Sequence, residues 1–269
     1  MTLGLAHPAI VKSPVSHFRH GAFHAVSDRL AAETPVAIAY NCEPYAVMMA
    51  TPADLEDFAY GFSLTEGIVA DAGEILAVDQ PLKDEGVSLL IEIPPARASR
   101  LTERARNVSG RTGCGVCGIA EIEEVLRPLP ALPFSSRIGA SAIDRAVSGL
   151  PALQKLNSHT GAVHAAGFAT ADGELLLVRE DVGRHNALDK LIGAMRRSGR
   201  SAADGMVLIT SRCSMEMVQK TVLLGCPMLV AVSAPTSLAV KIAEASGLTI
   251  AAFARGDGCN VYTHVERVR

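Results

Sequence analysis

The sequence predicts a mixed α/β protein, with a three-layer α/β/α sandwich in its second half and a smaller α+β domain before it. Two observations predict this class. Short apolar runs alternate with helical patterns after residue 140, which is typical of strands joined by helical crossovers and covered on both faces. A proline-rich stretch over 127–133 separates this region from the first half. We therefore predict two domains, residues 1–135 and 136–269.

In the first half, the clearest start signal belongs to a helix that follows Thr51. Threonine suits the N-cap, Pro52 suits the first helical position, and Asp54 falls in the first turn. An apolar stripe at helical spacing follows, made of Leu55, Phe58, Ala59 and Phe62. Strands are predicted over 22–26, 36–40, 46–50, 75–78 and 87–93, and a second helix begins at Pro94-Pro95.

The second half begins with an amphipathic helix over 141–156, and a hairpin turn at Asp172-Gly173 then joins two strands. The two hairpin strands cover 162–169 and 174–179. After a helix from Arg184, strands over 206–210, 228–232 and 249–253 alternate with helices over 215–224 and 236–246.

Ligands of such sheets gather beyond the carboxyl ends of the strands. The segments predicted there supply arginines, hydroxyls and helix N-termini, which suit a phosphate-bearing ligand. Ordinary helix caps with solvated charges are the alternative for any one of these segments. The four segments are 180–184, 211–214, 233–237 and 255–258.

The most informative motif is the pair Cys114 and Cys117 within the glycine-rich run 113–118. A helix predicted over 119–126 places both thiols near its N-terminus, where the helix dipole favours the thiolate. We interpret the pair as a redox or sulfur-handling site. Half of a zinc site, a structural disulfide and a plain flexible loop are the alternatives, and the spacing alone does not separate a disulfide oxidoreductase from a sulfur carrier.

Composition narrows the classes of partner. The chain has 269 residues, a formal net charge of -3 and no tryptophan, which argues against general nucleic-acid binding. It has no apolar run long enough to span a bilayer and no segment like a signal peptide at its start. We therefore expect a cytoplasmic protein without membrane or nucleic-acid partners.

The element order of the second half also matches that of zinc-dependent nucleotide deaminases. Those enzymes need an H-x-E motif at one helix start and P-C-x-x-C at the next. Here His185-Asn186-Ala187 lacks the glutamate, and Cys213-Ser214-Met215-Glu216 lacks the second cysteine. The sequence therefore predicts a cytidine-deaminase-like topology without zinc.

Several motifs together resemble the formate dehydrogenase accessory sulfurtransferases, the FdhD/NarQ family. The resemblance runs from about Arg19 to Thr263, and its most specific part is the block from Glu180 to Lys190. The other matching segments are Glu43-Pro44, Thr51-Pro52, Gly61-Phe62, Thr65-Glu66-Gly67, Cys114 to Gly118, Thr160 to Ala166, Glu216 to Lys220 and Ser233 to Thr236.

The resemblance implies a sulfur carrier that accepts persulfide sulfur from a cysteine desulfurase. It would deliver the sulfur to the molybdenum bis-guanine-dinucleotide cofactor before insertion into apo-formate dehydrogenase. Cys114 matches the persulfide-bearing cysteine and Cys117 its partner, and the family is homodimeric. The cofactor-binding segment falls on Phe253, Ala254, Arg255, Gly256, Asp257 and Gly258, where GDP-like nucleotides would mimic the cofactor and Asp257 would accept hydrogen bonds from guanine.

Two departures from the family pattern affect the cysteines. Thr112-Gly113 stands where family members have two small hydroxylated residues, and Cys213 stands where a small residue is common. Cys213 is therefore either a packed residue or a second reactive thiol. A cofactor-binding chaperone without sulfur transfer is the alternative function, and a general thiol–disulfide oxidoreductase is a third.

Overall fold

The structure is a computed structural model that describes residues 7–105, 128–134, 137–256 and 258–269. Two short 3-10 helices cover Ala72–Glu74 and Val265–Arg267. The strands are β1 Ile10–Arg19, β2 Ala22–Ala31, β3 Thr34–Tyr40, β4 Glu43–Ala50, β5 Ala77–Asp79, β6 Leu82–Lys83, β7 Gly86–Glu92, β8 His164–Thr170, β9 Leu175–Asp181, β10 Gly205–Ile209, β11 Met228–Ala231, β12 Thr249–Arg255 and β13 Gly258–Val261. The helices are α1 Leu55–Thr65, α2 Pro95–Ala105, α3 Ala140–Leu153, α4 Asn157–Thr160, α5 Arg184–Arg197, α6 Met215–Leu224 and α7 Ser237–Ser246.

The second half forms a six-stranded sheet with the strand order β13-β12-β11-β10-β8-β9. Strands β10, β11 and β12 are parallel, whereas β8 is antiparallel to both β9 and β10. The β8–β9 hairpin confirms the turn predicted at Asp172-Gly173. Strand β13 was not predicted, because its four residues carry no apolar alternation.

Helices cover both faces of this sheet. Side chains of α3 pack against one face, through Ile143 and Leu150 among others. Side chains of α5, α6 and α7 pack against the opposite face, where Leu188, Val218 and Ala243 join the larger core. The mixed α/β class is confirmed, while the likeness to deaminase topology stays a prediction.

The first half has its own sheet and core. Four strands lie in the order β4-β3-β7-β5, and β6 pairs with β7 beside them. The core contains Ile38 and Leu89 from the sheet and Phe58 from α1. The division into residues 1–135 and 136–269 stays a prediction.

The two halves meet where α1 crosses α5, and glycines allow a close approach. A Cβ atom on Gly61 would lie 1.7 Å from the carbonyl oxygen of Asp189, and one on Gly193 would lie 1.8 Å from that of Asp57. No side chain fits at such distances, so each glycine makes backbone-to-backbone contact between the helices possible.

The predicted start of α1 is wrong. The helix begins at Leu55 instead of Pro52, with Asp54 at the N-cap in the left-handed region. Thr51 does not cap it, because its hydroxyl accepts a hydrogen bond from the Val182 N–H at 3.1 Å. A long-range contact therefore replaces the local cap.

Strands β1 and β2 form a separate antiparallel ribbon, most of whose residues are exposed. Only residues 22–26 of β2 were predicted, and β1 was not predicted at all. Pro14 and the polar residues of β1 obscure the alternation of that strand. Val11 and Val15 lie opposite Leu30 and Val26, so the four apolar side chains share one face.

Replacing Gly61 by alanine should force α1 and α5 apart. Overpacking of this kind costs about 1–3 kcal/mol. We expect Gly61→Ala to lower the free energy of unfolding, measured in urea, by an amount at the upper end of this range or above it. Gly149→Ala in α3 is the control, because its nearest neighbour is the flexible end of Leu175 at 3.3 Å. Equal stability of the two variants would contradict the close crossing.

Candidate functional site

The candidate site is the edge of the six-stranded sheet at which β9, β10, β11 and β12 all end. These four strands run in the same direction, as their pairing shows. Helices α5, α6 and α7 begin just beyond β9, β10 and β11, respectively. The described residues of segments 180–184, 211–214, 233–237 and 255–258 lie at these strand ends, as predicted, although β8 separates β9 from β10 in the sheet.

Backbone hydrogen bonds connect these segments to one another. The Cys213 N–H donates to the carbonyl of Ala234 at 3.0 Å, and the Thr236 N–H donates to that of Cys213 at 3.0 Å. The Phe253 N–H donates to the carbonyl of Ser233 at 3.2 Å. The segments that follow β10 and β11 and the end of β12 are therefore hydrogen-bonded to one another along the edge.

The predicted cofactor segment lies on this edge. Phe253 has a φ of 53°, which is unusual for a bulky residue and costs about 1–3 kcal/mol when the surroundings enforce it. The Arg255 guanidinium lies 5.9 Å from the centre of the Phe253 ring. Ala254, between them in the chain, is buried. Gly256 has a φ of 70°, and a Cβ on either Gly256 or Gly258 would meet nothing within 4 Å. Asp257 lies outside the described residues.

Two histidines lie on the same edge, at the start of β8 and in the first turn of α5. His164 is close to Thr210, with Nδ1 3.5 Å from the threonine hydroxyl. Burial, together with the positive charges of Arg184 and Lys220 and against the opposing effect of Glu216, lowers the pKa of His185 to about 4. Burial and Arg184 also lower the pKa of His164. Both imidazoles are therefore neutral at pH 7.

The block that gives the sequence resemblance forms much of the contact between the two halves. Lys190 Nζ lies 2.6 Å from Asp181 Oδ2, and both side chains are fully buried. The Thr51 N–H donates to Asp181 at 3.0 Å, and Lys190 Nζ donates to the Thr51 carbonyl at 2.9 Å. The Asn186 amide bridges Asp181 and the Met49 carbonyl. Through these hydrogen bonds to Thr51 and Met49, the ion pair connects the end of β9 to the end of β4 and the residue that follows it.

A second buried pair lies further along α5. Lys220 Nζ lies 2.8 Å from Asp189 Oδ1, and the Thr65 hydroxyl donates to the same carboxylate at 2.8 Å. Burial raises the pKa of Asp189, and Lys220 opposes this rise. Because α1, α5 and α6 each contribute one of the three residues, the pair fixes the end of α1 against the second half.

The structure distinguishes the thiols. Burial raises the pKa of the Cys213 thiol to about 12. A fully buried thiol of this kind is unreactive at neutral pH, so Cys213 is a packed residue rather than a second nucleophile. Cys42 is exposed in the turn between β3 and β4. Cys114 and Cys117, and the helix predicted over 119–126, lie outside the described residues.

The described ranges contain no group of three or more His, Cys, Asp or Glu side chains placed to hold a metal ion. Among the helices that the structure describes, none has both the length and the apolar character needed to cross a membrane. The absence of zinc stays a prediction.

Sequence reasoning assigned no role to several residues of the edge and of the contact beside it. His164 and His185 belong to segments that give the family resemblance, but the sequence does not show that they lie at the edge where Ser214 was predicted. Asp57 is buried and pairs with Arg179 at 2.8 Å and with Arg197. No local signal marks Asp57, because its partners lie more than a hundred residues away along the chain.

The family model and the relatives that this chain matches all point to the same family. Residues 31–269 match the model of the FdhD/NarQ family. The protein named sulfur carrier protein FdhD of Xanthomonas axonopodis pv. citri is 52% identical over 261 residues, covering 97% of this chain and 93% of the relative. A protein of the same name from Variovorax paradoxus is 50% identical over 241 residues, covering 90% of this chain and 87% of the relative.

A solved structure supports the same grouping. It is described as that of a formate dehydrogenase accessory protein from Desulfotalea psychrophila. It superimposes with a TM-score of 0.74 at 27% identity, and the match covers 97% of this chain and all of that one. The fold of the described residues is therefore shared with that protein.

The depressed pKa of His185 predicts a pH dependence of stability. Between about pH 6.5 and pH 4 the unfolded chain binds a proton that the folded protein excludes, so the free energy of unfolding falls as the pH is lowered through this window. His185→Gln should make this fall smaller in urea titrations at several pH values. His24→Gln on the exposed ribbon is the control. An unchanged slope in His185→Gln would contradict the buried neutral imidazole.

Proposed function

The chain belongs to the FdhD/NarQ family, and we propose that it carries sulfur from a cysteine desulfurase to the molybdenum cofactor of a formate dehydrogenase. The observation that carries this proposal is the 52% identity, over 97% of the chain, to a protein named as a sulfur carrier. The glycine-flanked pair Cys114 and Cys117 provides two thiols for the transfer. We place this activity in the cytoplasm.

The loading step that we propose is a thiolate attack on a persulfide. The Cys114 thiolate attacks the terminal sulfur of the desulfurase persulfide, so that a new S–S bond forms on Cys114 and the desulfurase cysteine leaves as a thiolate. The sulfur atom changes carrier, and there is no net oxidation. The PLP of the desulfurase belongs to that partner.

Delivery of the sulfur leaves two routes for Cys117. In one, its thiol attacks Cys114 Sγ, which closes a disulfide and releases the terminal sulfur as hydrosulfide for the molybdenum centre. The two thiols then supply both electrons, and a cellular dithiol reductant must reopen the disulfide. In the other, Cys117 assists loading only.

The sheet edge supports binding of the guanine-dinucleotide cofactor. Phe253 is partly exposed and offers a ring for stacking, while Arg255 offers a charge for a phosphate. The open space around Gly256 and Gly258 lets a ligand approach the backbone. We propose that the segment Phe253 to Gly258 holds one nucleotide end of the cofactor as a bound substrate, with Asp257 accepting hydrogen bonds from guanine.

We also propose that the protein is a homodimer joined through the β1–β2 ribbon. An isolated two-stranded ribbon is marginally stable in water. Val11, Leu30 and Val26 are each more than 40% exposed on one face, whereas Arg29, on the opposite face, donates to His159 of the same chain at 2.8 Å. A second copy presents the same apolar face and covers it by twofold symmetry.

Transfer of labelled sulfur tests the carrier function. Incubation with a cysteine desulfurase and 35S-cysteine should place a reductant-labile label on the unaltered protein and none on Cys114→Ala. Cys42→Ala, which removes an exposed thiol that does not belong to the Cys114–Cys117 motif, should keep the label. Labelling of Cys114→Ala would contradict the proposal. Cofactor binding without any labelling would favour the chaperone, and reduction of insulin would favour the oxidoreductase.

Sedimentation tests the dimer. Val26→Asp places a charge on the apolar face of the ribbon and should weaken dimerisation by about tenfold or more, because a buried unpaired charge is costly. Ser27→Asp adds the same charge to the opposite face and should leave the dimer intact. A monomeric unaltered protein at micromolar concentration, or equal behaviour of the two variants, would contradict this interface.

A further inference from the structure

Three buried polar atoms at the sheet edge have no hydrogen-bond partner among the described residues. They are Arg184 Nε, His185 Nε2 and Ser214 Oγ. Buried polar groups are paired in more than about nine cases in ten, because leaving such a group without a partner is costly. Three such atoms on one edge therefore indicate that something else satisfies them.

The three atoms belong to two neighbouring helix starts. Arg184 and His185 open α5, and Ser214 directly precedes α6. Neither helix is capped by a side chain. The N-cap of α5 is Gly183, which has no side chain, and the hydroxyl of Ser214, the N-cap of α6, accepts no first-turn N–H. Helix α7 differs, because the Thr236 hydroxyl accepts the Ala239 N–H. The first N–H groups of α5 and α6, which have no partner within their own helix, thus receive no hydrogen bond from a cap side chain.

The charges around this position favour an anion. Arg184 and Lys220 are the cations that act on His185, but Lys220 is paired with Asp189 at 2.8 Å, which leaves Arg184 opposed by Glu216 of α6. Asp181, the acidic group that acts on His164, is already neutralised by Lys190 at 2.6 Å. Both helix dipoles add positive potential at their N-termini. The attraction for an anion therefore comes from the two helix N-termini and the Arg184 guanidinium.

We propose that Arg184, His185 and Ser214, together with the first-turn N–H groups of α5 and α6, bind a diphosphate group. This inference rests on the proposed function, because it makes the diphosphate that of the guanine-dinucleotide cofactor. The end of β10, which leads to Ser214, lies two strand spacings from the end of β12, about 10 Å, whereas the end of β9, which leads to Arg184, lies four spacings away. An extended nucleotide bridges the shorter distance, with its base at Phe253 to Gly258 and its diphosphate at Ser214, where the start of α6 meets the first turn of α5.

Calorimetric titration of the full-length protein tests the site, with inorganic pyrophosphate and GDP as probes. Arg184→Gln, His185→Gln and Ser214→Ala should each weaken pyrophosphate binding by about tenfold or more, since each removes a bond to a charged ligand. Arg200→Gln removes an exposed arginine beyond the far end of α5 and should change it by less than about threefold. Asp257→Ala should weaken GDP binding and leave pyrophosphate binding unchanged.

A second measurement does not depend on how well the variants fold. Pyrophosphate added to the unaltered protein should shift the ring 15N resonances of His185 and raise its pKa, because an anion stabilises the imidazolium. An unshifted His185, or pyrophosphate binding that none of the three folded variants weakens, would overturn the proposal. Competition between GDP and pyrophosphate identifies the nucleotide as the source of the diphosphate, whereas simultaneous binding would overturn that assignment.

The outcomes also separate this inference from the proposed function. Labelling of Cys114 requires no diphosphate, so a labelled protein that fails to bind pyrophosphate overturns the subsite alone. A protein that binds pyrophosphate through these three residues but never takes up sulfur overturns the carrier function alone.

Discussion

The buried ion pair between Asp181 and Lys190 is the interaction on which the rest of the structure depends. Two charges removed from water are tolerated only when geometry and further hydrogen bonds compensate their desolvation. Here the carboxylate also accepts from Thr51, Gly183 and Asn186, and the ammonium also donates to the Thr51 carbonyl. Loss of either partner would leave an uncompensated buried charge, at a cost of about 3–5 kcal/mol.

This pair connects stability with function because of where its members lie. Asp181 is the last residue of β9, and α5 begins three residues later at Arg184. The contacts that attach the first half of the protein therefore also set the position of the first turn of α5. The segment from Glu180 to Lys190 performs two tasks: Asp181, Asp189 and Lys190 face the first half, while Arg184 and His185 are at the sheet edge.

The sequence predicted the parts of the fold that depend on local pattern. The alternation in the second half located β8 to β12, and the bounds of α6 agree with the structure. The four strand-end segments were predicted because the direction of parallel strands follows from the crossovers. In each case neighbouring residues carry the whole signal.

The features that were missed depend on residues far apart along the chain. Thr51 reads as a helix cap, but its hydroxyl and backbone are used by residues about 130 positions away. Gly61 and Gly193 received no structural role from the sequence, whereas the crossing of α1 and α5 requires them. The pairing of Asp189 with Lys220 and Thr65 is likewise a product of packing. No periodicity or motif records which surfaces meet.

Native-state hydrogen exchange of the full-length protein most directly tests whether this contact makes the two halves one cooperative unit. Amides in α1 and α5 should open with the same free energy and the same urea dependence, and Lys190→Met should lower both equally. Opening of α1 at a much lower free energy, while the six-stranded sheet stays protected, would contradict the view that buried charges hold the first half to the sheet edge.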